Sequence, residues 1–174
     1  LSTNQELSIK GKLTLEDFKM YNTHHLKKTV RMYFIICFVA MFAIIHIPMS
    51  GDLFLIFIFA GIPSLIISSL LALFAKTVNK RRAIKEYKSD QLIKHEINYI
   101  FSHDGIHQKI RRSNNYYEWN DIQVAIEQKD MFLLYVSKNK AIVLPKSFFE
   151  SSEKIDLFKK IISEYIETAK IKFY

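Results

Sequence analysis

A chain of 174 residues, 49% of them apolar, has room for one soluble domain beside an unusually apolar stretch. Its formal net charge of +8 is unevenly spread: residues 1–31 carry six Lys/Arg against three Asp/Glu, residues 76–94 seven against two, and residues 95–174 twelve against eleven. The excess therefore flanks the apolar stretch. A nucleic-acid module carries its basic face on the folded domain itself, and the near-neutral distal part argues against that class. The one cysteine, Cys37, excludes a disulfide within the chain and suits a reducing cytoplasm.

Residues 1–31 read as an N-terminal strand and an entry helix, expected to pack with the cytoplasmic domain. Glu6 to Leu13 alternates polar and apolar residues, with Leu7 and Ile9 on one strand face. Thr14 followed three residues later by Asp17 is a capping-box pattern that starts a helix. Phe18, Tyr21, His25 and Leu26 continue at helical spacing, and nothing breaks the helix before Met32.

Residues 32–75 form the stretch on which the rest hangs. The run 32–49 is 18 residues and the run 53–75 is 23, and neither contains Lys, Arg, Asp or Glu. A bilayer needs roughly 20 apolar residues per helical span, and backbone groups in lipid must be bonded within the segment. A transmembrane helical hairpin is predicted, turning at Ser50-Gly51-Asp52. The first run begins beyond residue 30 and is followed by a second, so it reads as a span and not as a cleavable signal. Pro63 after Gly61 predicts a kink in the second span. Ala60, Gly61, Ser64, Ser68 and Ser69 give that span a small-residue stripe for close packing. His46, beside Pro48, is read as an interfacial residue at the outer end of the first span.

Lys27, Lys28 and Arg31 precede the first span; Lys76, Lys80, Arg81 and Arg82 follow the second. By the positive-inside rule both termini lie in the cytoplasm of a bacterial cell, the protein being multi-pass in its inner membrane. The same cations can meet anionic lipid. Residues 76–90 read as a basic helical stem.

Residues 91–174 read as short strands followed by one helix. Ile93, His95, Ile97, Tyr99 and Phe101 are expected on one strand face, and Asp104-Gly105 is a hairpin signal. Ile106 to Arg112 alternates again, and Arg111 to Asn115 reads as a second polar turn. Ile122, Val124 and Ile126 are expected on the core face of the next strand. MFLLYVS (131–137) suits a buried strand, and AIVL before Pro145 another. Ser151 or Ser152 caps a closing helix whose apolar stripe runs Ile155, Phe158, Ile161, Ile162, Tyr165, Ile166 and Ala169. The fold class is α+β: a transmembrane helical hairpin plus a small antiparallel sheet or barrel closed by a C-terminal helix.

No nucleophile elbow, phosphate loop or dinucleotide fingerprint is present, and the chain has only four glycines. His103 and His107 flank a turn, His24-His25 has no nearby cysteine or acid pair, and Asp121 reads as a turn cap more than as a carboxylate of a catalytic pair with Glu118. No catalytic, cofactor or metal residues are assigned. Trp119, the sole tryptophan, reads first as packing between sheet and helix and second as a binding anchor. With Lys109, Arg111 and Arg112 it makes the candidate binding surface of the distal domain.

Leu13-Thr14-Leu15-Glu16-Asp17-Phe18, the two closely spaced spans, Ile100 to Ile110 and Tyr117 to Phe149 together resemble the YcxB-like family. The most specific part is 119–149, with its W-x-D-I, K-D-x-F-L-L-Y and I-V-L-P-K pieces. That resemblance implies a bacterial pleckstrin-homology-like (PH-like) domain and transfers no catalytic residue. The function expected is a non-enzymatic, membrane-anchored binding or scaffold protein whose domain contacts a protein or an anionic lipid headgroup. Two alternatives stay open: an immunity protein against a co-encoded membrane-acting toxin, and a transport subunit working as an oligomer.

Overall fold

The computed structural model describes residues 6–47 and 51–173. They fall into two compact units, Phe18–Lys88 and, from the two ends of the chain, Leu1–Asp17 with Ser89–Tyr174.

The helical unit is built from α1 (Leu15–His46), the short α2 (Leu53–Ile56), a π-helical turn Phe57–Gly61 and α3 (Ile62–Ser89). The capping box forms as its residues dictate: Asp17 N–H donates to Thr14 Oγ1 at 3.1 Å and Thr14 N–H to Asp17 Oδ2 at 2.9 Å. From there α1 runs unbroken through the first apolar run. Phe18, near its start, meets Tyr87, near the end of α3, with ring centroids 5.9 Å apart, so the two helices lie antiparallel. The irregularity expected at Pro63 takes the form of the π turn just before it. Proline has no N–H to give the preceding turn and its ring crowds the carbonyl four residues back; a wider turn accommodates both. The small-residue stripe is the buried face of this helix, since Ala60, Ser64 and Ser68 are 0% exposed. Ser64 Oγ donates to the Ala60 carbonyl and Ser68 Oγ to the Ser64 carbonyl, each at 2.5 Å, which satisfies both hydroxyls within the helix. Ser69 is half-buried and bonds the Leu65 carbonyl instead. The predicted turn lies partly outside the described residues, which resume at Gly51; Asp52 Oδ1 accepts from Phe54 N–H at 2.8 Å and starts the second arm. Pro48 also lies outside them.

The second unit holds two four-stranded sheets, in the orders β1-β2-β3-β4 and β7-β6-β5-β8. The first contains β1 (Leu7–Gly11), β2 (Ile97–Ser102), β3 (Gly105–Ile110) and β4 (Ser113–Tyr117), all antiparallel. The second contains β5 (Val124–Glu127), β6 (Met131–Ser137), β7 (Lys140–Pro145) and β8 (Ile171–Lys172). The sheets stay separate, so the single sheet or barrel expected from the turn spacing is replaced by a two-sheet arrangement. Helix α4 (Ser152–Tyr165) joins their cores. Its Phe158, 0% exposed, lies 5.1 Å from Phe101 of the first sheet and 4.9 Å from Phe132 of the second, centroid to centroid. Burying such a ring contributes about 2–3 kcal/mol, more than any surface contact in the unit.

Four local readings of the sequence are corrected. Ile93 and His95 precede the strand: Asp90 Oδ1 captures the N–H groups of Leu92 and Ile93 and holds 91–95 in turns. The second polar turn is only Arg111-Arg112, with Arg111 at φ 55, and Ser113 to Asn115 already pair with β3. In β5 the core face carries Ala125 and Glu127, not Val124 and Ile126, because a 3₁₀ turn at Trp119–Asp121 resets the alternation after Ile122. The chain also does not end on the helix. Past Tyr165 it makes a 3₁₀ turn and adds β8 parallel to β5.

Candidate binding surface

The solvent face of the first sheet follows from its register. Pairing sets Leu7, Ile9, Ile97, Tyr99, Phe101 and Ile106 on one side, all no more than 3% exposed. Period-two alternation then places Ser8, Lys10, Asn98, Ile100, His107, Lys109, Asn114 and Tyr116 on the other. A shallow groove of about 310 Å³ lies there, lined chiefly by Asn98, Ile100, His107, Lys109, Asn114 and Tyr116.

One end of the groove is set by the β2–β3 turn. Asp104 accepts from the Ser102 hydroxyl, and its Oδ2 lies 3.0 Å from His107 Nε2. Those two bonds, the serine first, hold its carboxyl below the ordinary carboxylate value. Tyr116 donates its hydroxyl to the Asp104 carbonyl and places its ring 4.8 Å from His107. At Gly105, φ is +151, and a side chain there would run into the Tyr117 carbonyl. The other end is the Arg111-Arg112 turn.

Lys109, Arg111 and Arg112 are exposed at that end and make no ion pair among the described residues. Trp119 lies apart from them. It is 8% exposed, stacks on Tyr165 with centroids 5.1 Å apart, and donates from Nε1 to the Ser102 carbonyl at 3.0 Å. Its place is between sheet and helix. Asp121 acts as the turn cap, accepting from Glu118 N–H at 2.9 Å. Lys27, Lys28 and Arg31 on α1, and Lys76, Lys80, Arg81 and Arg82 on α3, are all exposed. Next to them lie the apolar side chains that the helical unit leaves uncovered, among them Ile36 and Val39 on α1 and Leu70 and Phe74 on α3. Both helical segments, Leu15–His46 and Phe54–Ser89, are long and apolar enough to cross a membrane. His46 ends an aromatic ladder with Phe42, and its buried Nδ1 has no hydrogen-bond partner among the described residues.

A cluster that the sequence gives no hint of sits in the second sheet. Glu127, 5% exposed, receives Lys146 Nζ at 2.7 Å on one carboxylate oxygen and Lys159 Nζ at 2.8 Å on the other. Both ammonium groups also lie over the Phe132 ring, at 5.2 and 5.9 Å. The site ties α4 and the 3₁₀ turn after β7 to β5. A buried carboxylate saturated by two lysines is a structural clamp, with no open position for a reactant.

The YcxB-like protein family model matches residues 101–162, which span β3 to α4 together with the end of β2. The YcxB-like resemblance holds over that stretch. The uncharacterized protein YcxB of Bacillus subtilis (strain 168) is 25% identical over 177 residues, covering 98% of this chain and 95% of that protein. The likeness to YcxB therefore runs through both units, while the family pattern is concentrated in the sheet-and-helix unit. It includes the Asp104-Gly105 turn, the Arg111-Arg112 tip and Glu127.

Proposed function

We propose that the chain is a non-enzymatic binding or scaffold protein anchored in the bacterial inner membrane. The helical hairpin spans the bilayer with both termini in the cytoplasm, and the sheet-and-helix unit serves as a PH-like module contacting a partner there. The observation that carries this reading is the uncovered apolar surface of α1 and α3. Large side chains from Met32 to Ile47 and from Phe54 to Phe74 stand exposed on two adjacent helices. Exposed apolar patches beyond a few hundred Å² mark interaction or membrane surfaces, and the length here matches a bilayer. The cations beside both helices support a cytoplasmic stem.

Two antiparallel meanders followed by α4 support the PH-like reading of the second unit; β8 is an addition to that plan. A module of this kind, its buried Glu127 held by Lys146 and Lys159, offers surfaces more than reactive groups. Gentle solubilisation of the tagged protein from its native membrane, followed by mass spectrometry, tests the reading. A stoichiometric protein partner retained through the sheet-and-helix unit is expected. Recovery from the soluble fraction, with no membrane association, would contradict it.

A further inference from the structure

Within that reading of a membrane-anchored binding module, the geometry points to the free edge of β4 and the groove beside it as the docking site for an extended, acidic segment of a protein partner, added as a fifth strand. Sheet edges present unpaired backbone donors and acceptors, and proteins normally blunt them. The other edge strands of this unit are shorter or more buried than β4: Gly11 at the end of β1 lies against the Phe148 ring, β8 has only two residues, and Ile142 to Pro145 of β7 are buried. In contrast, β4 is exposed from Ser113 to Tyr116. Its sequence, Ser-Asn-Asn-Tyr-Tyr, has no proline and no lysine, and its register with β3 contains no bulge.

The pairing fixes which groups are free. Arg111 and Arg112 form a two-residue loop, so Ile110 and Ser113 are a hydrogen-bonded pair, and Gln108–Asn115 and Ile106–Tyr117 follow. Asn114 and Tyr116 between them turn their backbone N–H and C=O groups outward. Their side chains point into the groove, so a strand added here would lay alternate side chains across Lys109 and the Arg111-Arg112 tip. From Gly105 to Tyr117 the hairpin carries three cations and no carboxylate, which selects acidic residues on the incoming strand. Strand addition supplies affinity through the main chain and specificity through alternate side chains.

Anionic lipid is the competing occupant, and the main-chain edge disfavours it: a headgroup could meet Lys109, Arg111 and Arg112 but has no backbone to pair with the outward N–H and C=O groups of Asn114 and Tyr116.

The test uses the full chain in phosphatidylcholine nanodiscs, with a ten-residue peptide alternating Glu and Thr as probe and its Lys–Thr counterpart as control. Binding of the Glu–Thr peptide alone is expected, with amide shifts at Asn114 and Tyr116. Asn114→Pro removes an N–H that faces away from β3, so the sheet keeps its ladder; binding should fall at least about tenfold, as for loss of a main-chain hydrogen bond plus steric exclusion. Arg111→Glu/Arg112→Glu should weaken it to a similar extent, and N-methylating every second peptide residue should abolish it. Should Asn114→Pro fail to fold, the N-methylated peptide decides the same point. Three results would overturn the inference: no binding by inserted protein, binding indifferent to edge blocking, or arginine-dependent binding to anionic vesicles with none to the peptide. Failure of the chain to enter nanodiscs at all would count against the membrane reading instead.

Discussion

At the scale of single residues, the most constrained position is Gly105. It closes the β2–β3 turn with φ +151 and no room for a Cβ beside the Tyr117 carbonyl. Gly105→Ala is expected to cost about 1–3 kcal/mol through backbone strain, read as a lowered thermal midpoint and lost amide protection along β3 and β4. Asp104, next to it, gives the turn a pH dependence. Its carboxyl sits below its usual value of 3.8 in the folded protein, so its contribution is full above that value and is lost as pH falls through the folded one. A carboxyl titration by NMR should show the midpoint below 3.8, and Ser102→Ala should move it upward. The Glu127 cluster predicts an asymmetry. Its two lysine side chains are 28% exposed and the carboxylate only 6%. Glu127→Ala leaves cations that can reach water and should cost about 1–2 kcal/mol. Lys146→Met with Lys159→Met strands a buried carboxylate and should cost about 3–5 kcal/mol. Equal losses in denaturant melts would show that the lysines are not held as the geometry has them.

At the scale of elements, what could be read from the sequence depended on how local the determinant was. The Thr14–Asp17 box, the Asp104-Gly105 turn, the buried strand 131–137 and the Ser151 cap each rest on residues within a few positions, and each appears as read. Two of the four errors come from groups that compete locally for the backbone or change its phase; the other two come from strands with no period of their own to read. Asp90 took the N–H groups that Ile93 would have brought to a strand, and the 3₁₀ turn at Trp119 shifted β5 by one residue. The polar text of β4 hid a strand that only pairing with β3 creates, and β8 is too short to show a period. The candidate surface was legible at Lys109, Arg111 and Arg112, which lie together at one hairpin. Trp119 takes the place first read for it, between sheet and helix against Tyr165, and so stands apart from that surface. Among the helices, the Ala60–Ser64–Ser68 stripe predicts that Ser64→Leu overfills a closed face. A cost of about 1–3 kcal/mol is expected, with a longer spin-label distance between α1 and α3; an unchanged distance would mean that this face packs loosely.

At the scale of the whole molecule, the proposed function divides between two units. The helical unit is proposed to attach the chain: its exposed surface is apolar where the sequence has no charge and basic where the apolar runs end. The sheet-and-helix unit is proposed to recognise the partner, with a core closed by Phe101, Phe132 and Phe158 and the exposed strand β4 beside a groove that Lys109 lines. The family pattern falls on this second unit. Everything proposed for the edge of β4 presumes that the unit faces the cytoplasm while the hairpin crosses the bilayer. Cysteine labelling tests that presumption most directly. In a Cys37→Ser background, Asp52→Cys and Asn120→Cys would be exposed in turn to a membrane-impermeant maleimide, in intact cells stripped of their outer layers and again after permeabilisation. Asp52→Cys is expected to label in intact cells and Asn120→Cys only after permeabilisation. Labelling of Asn120→Cys in intact cells would contradict that presumption.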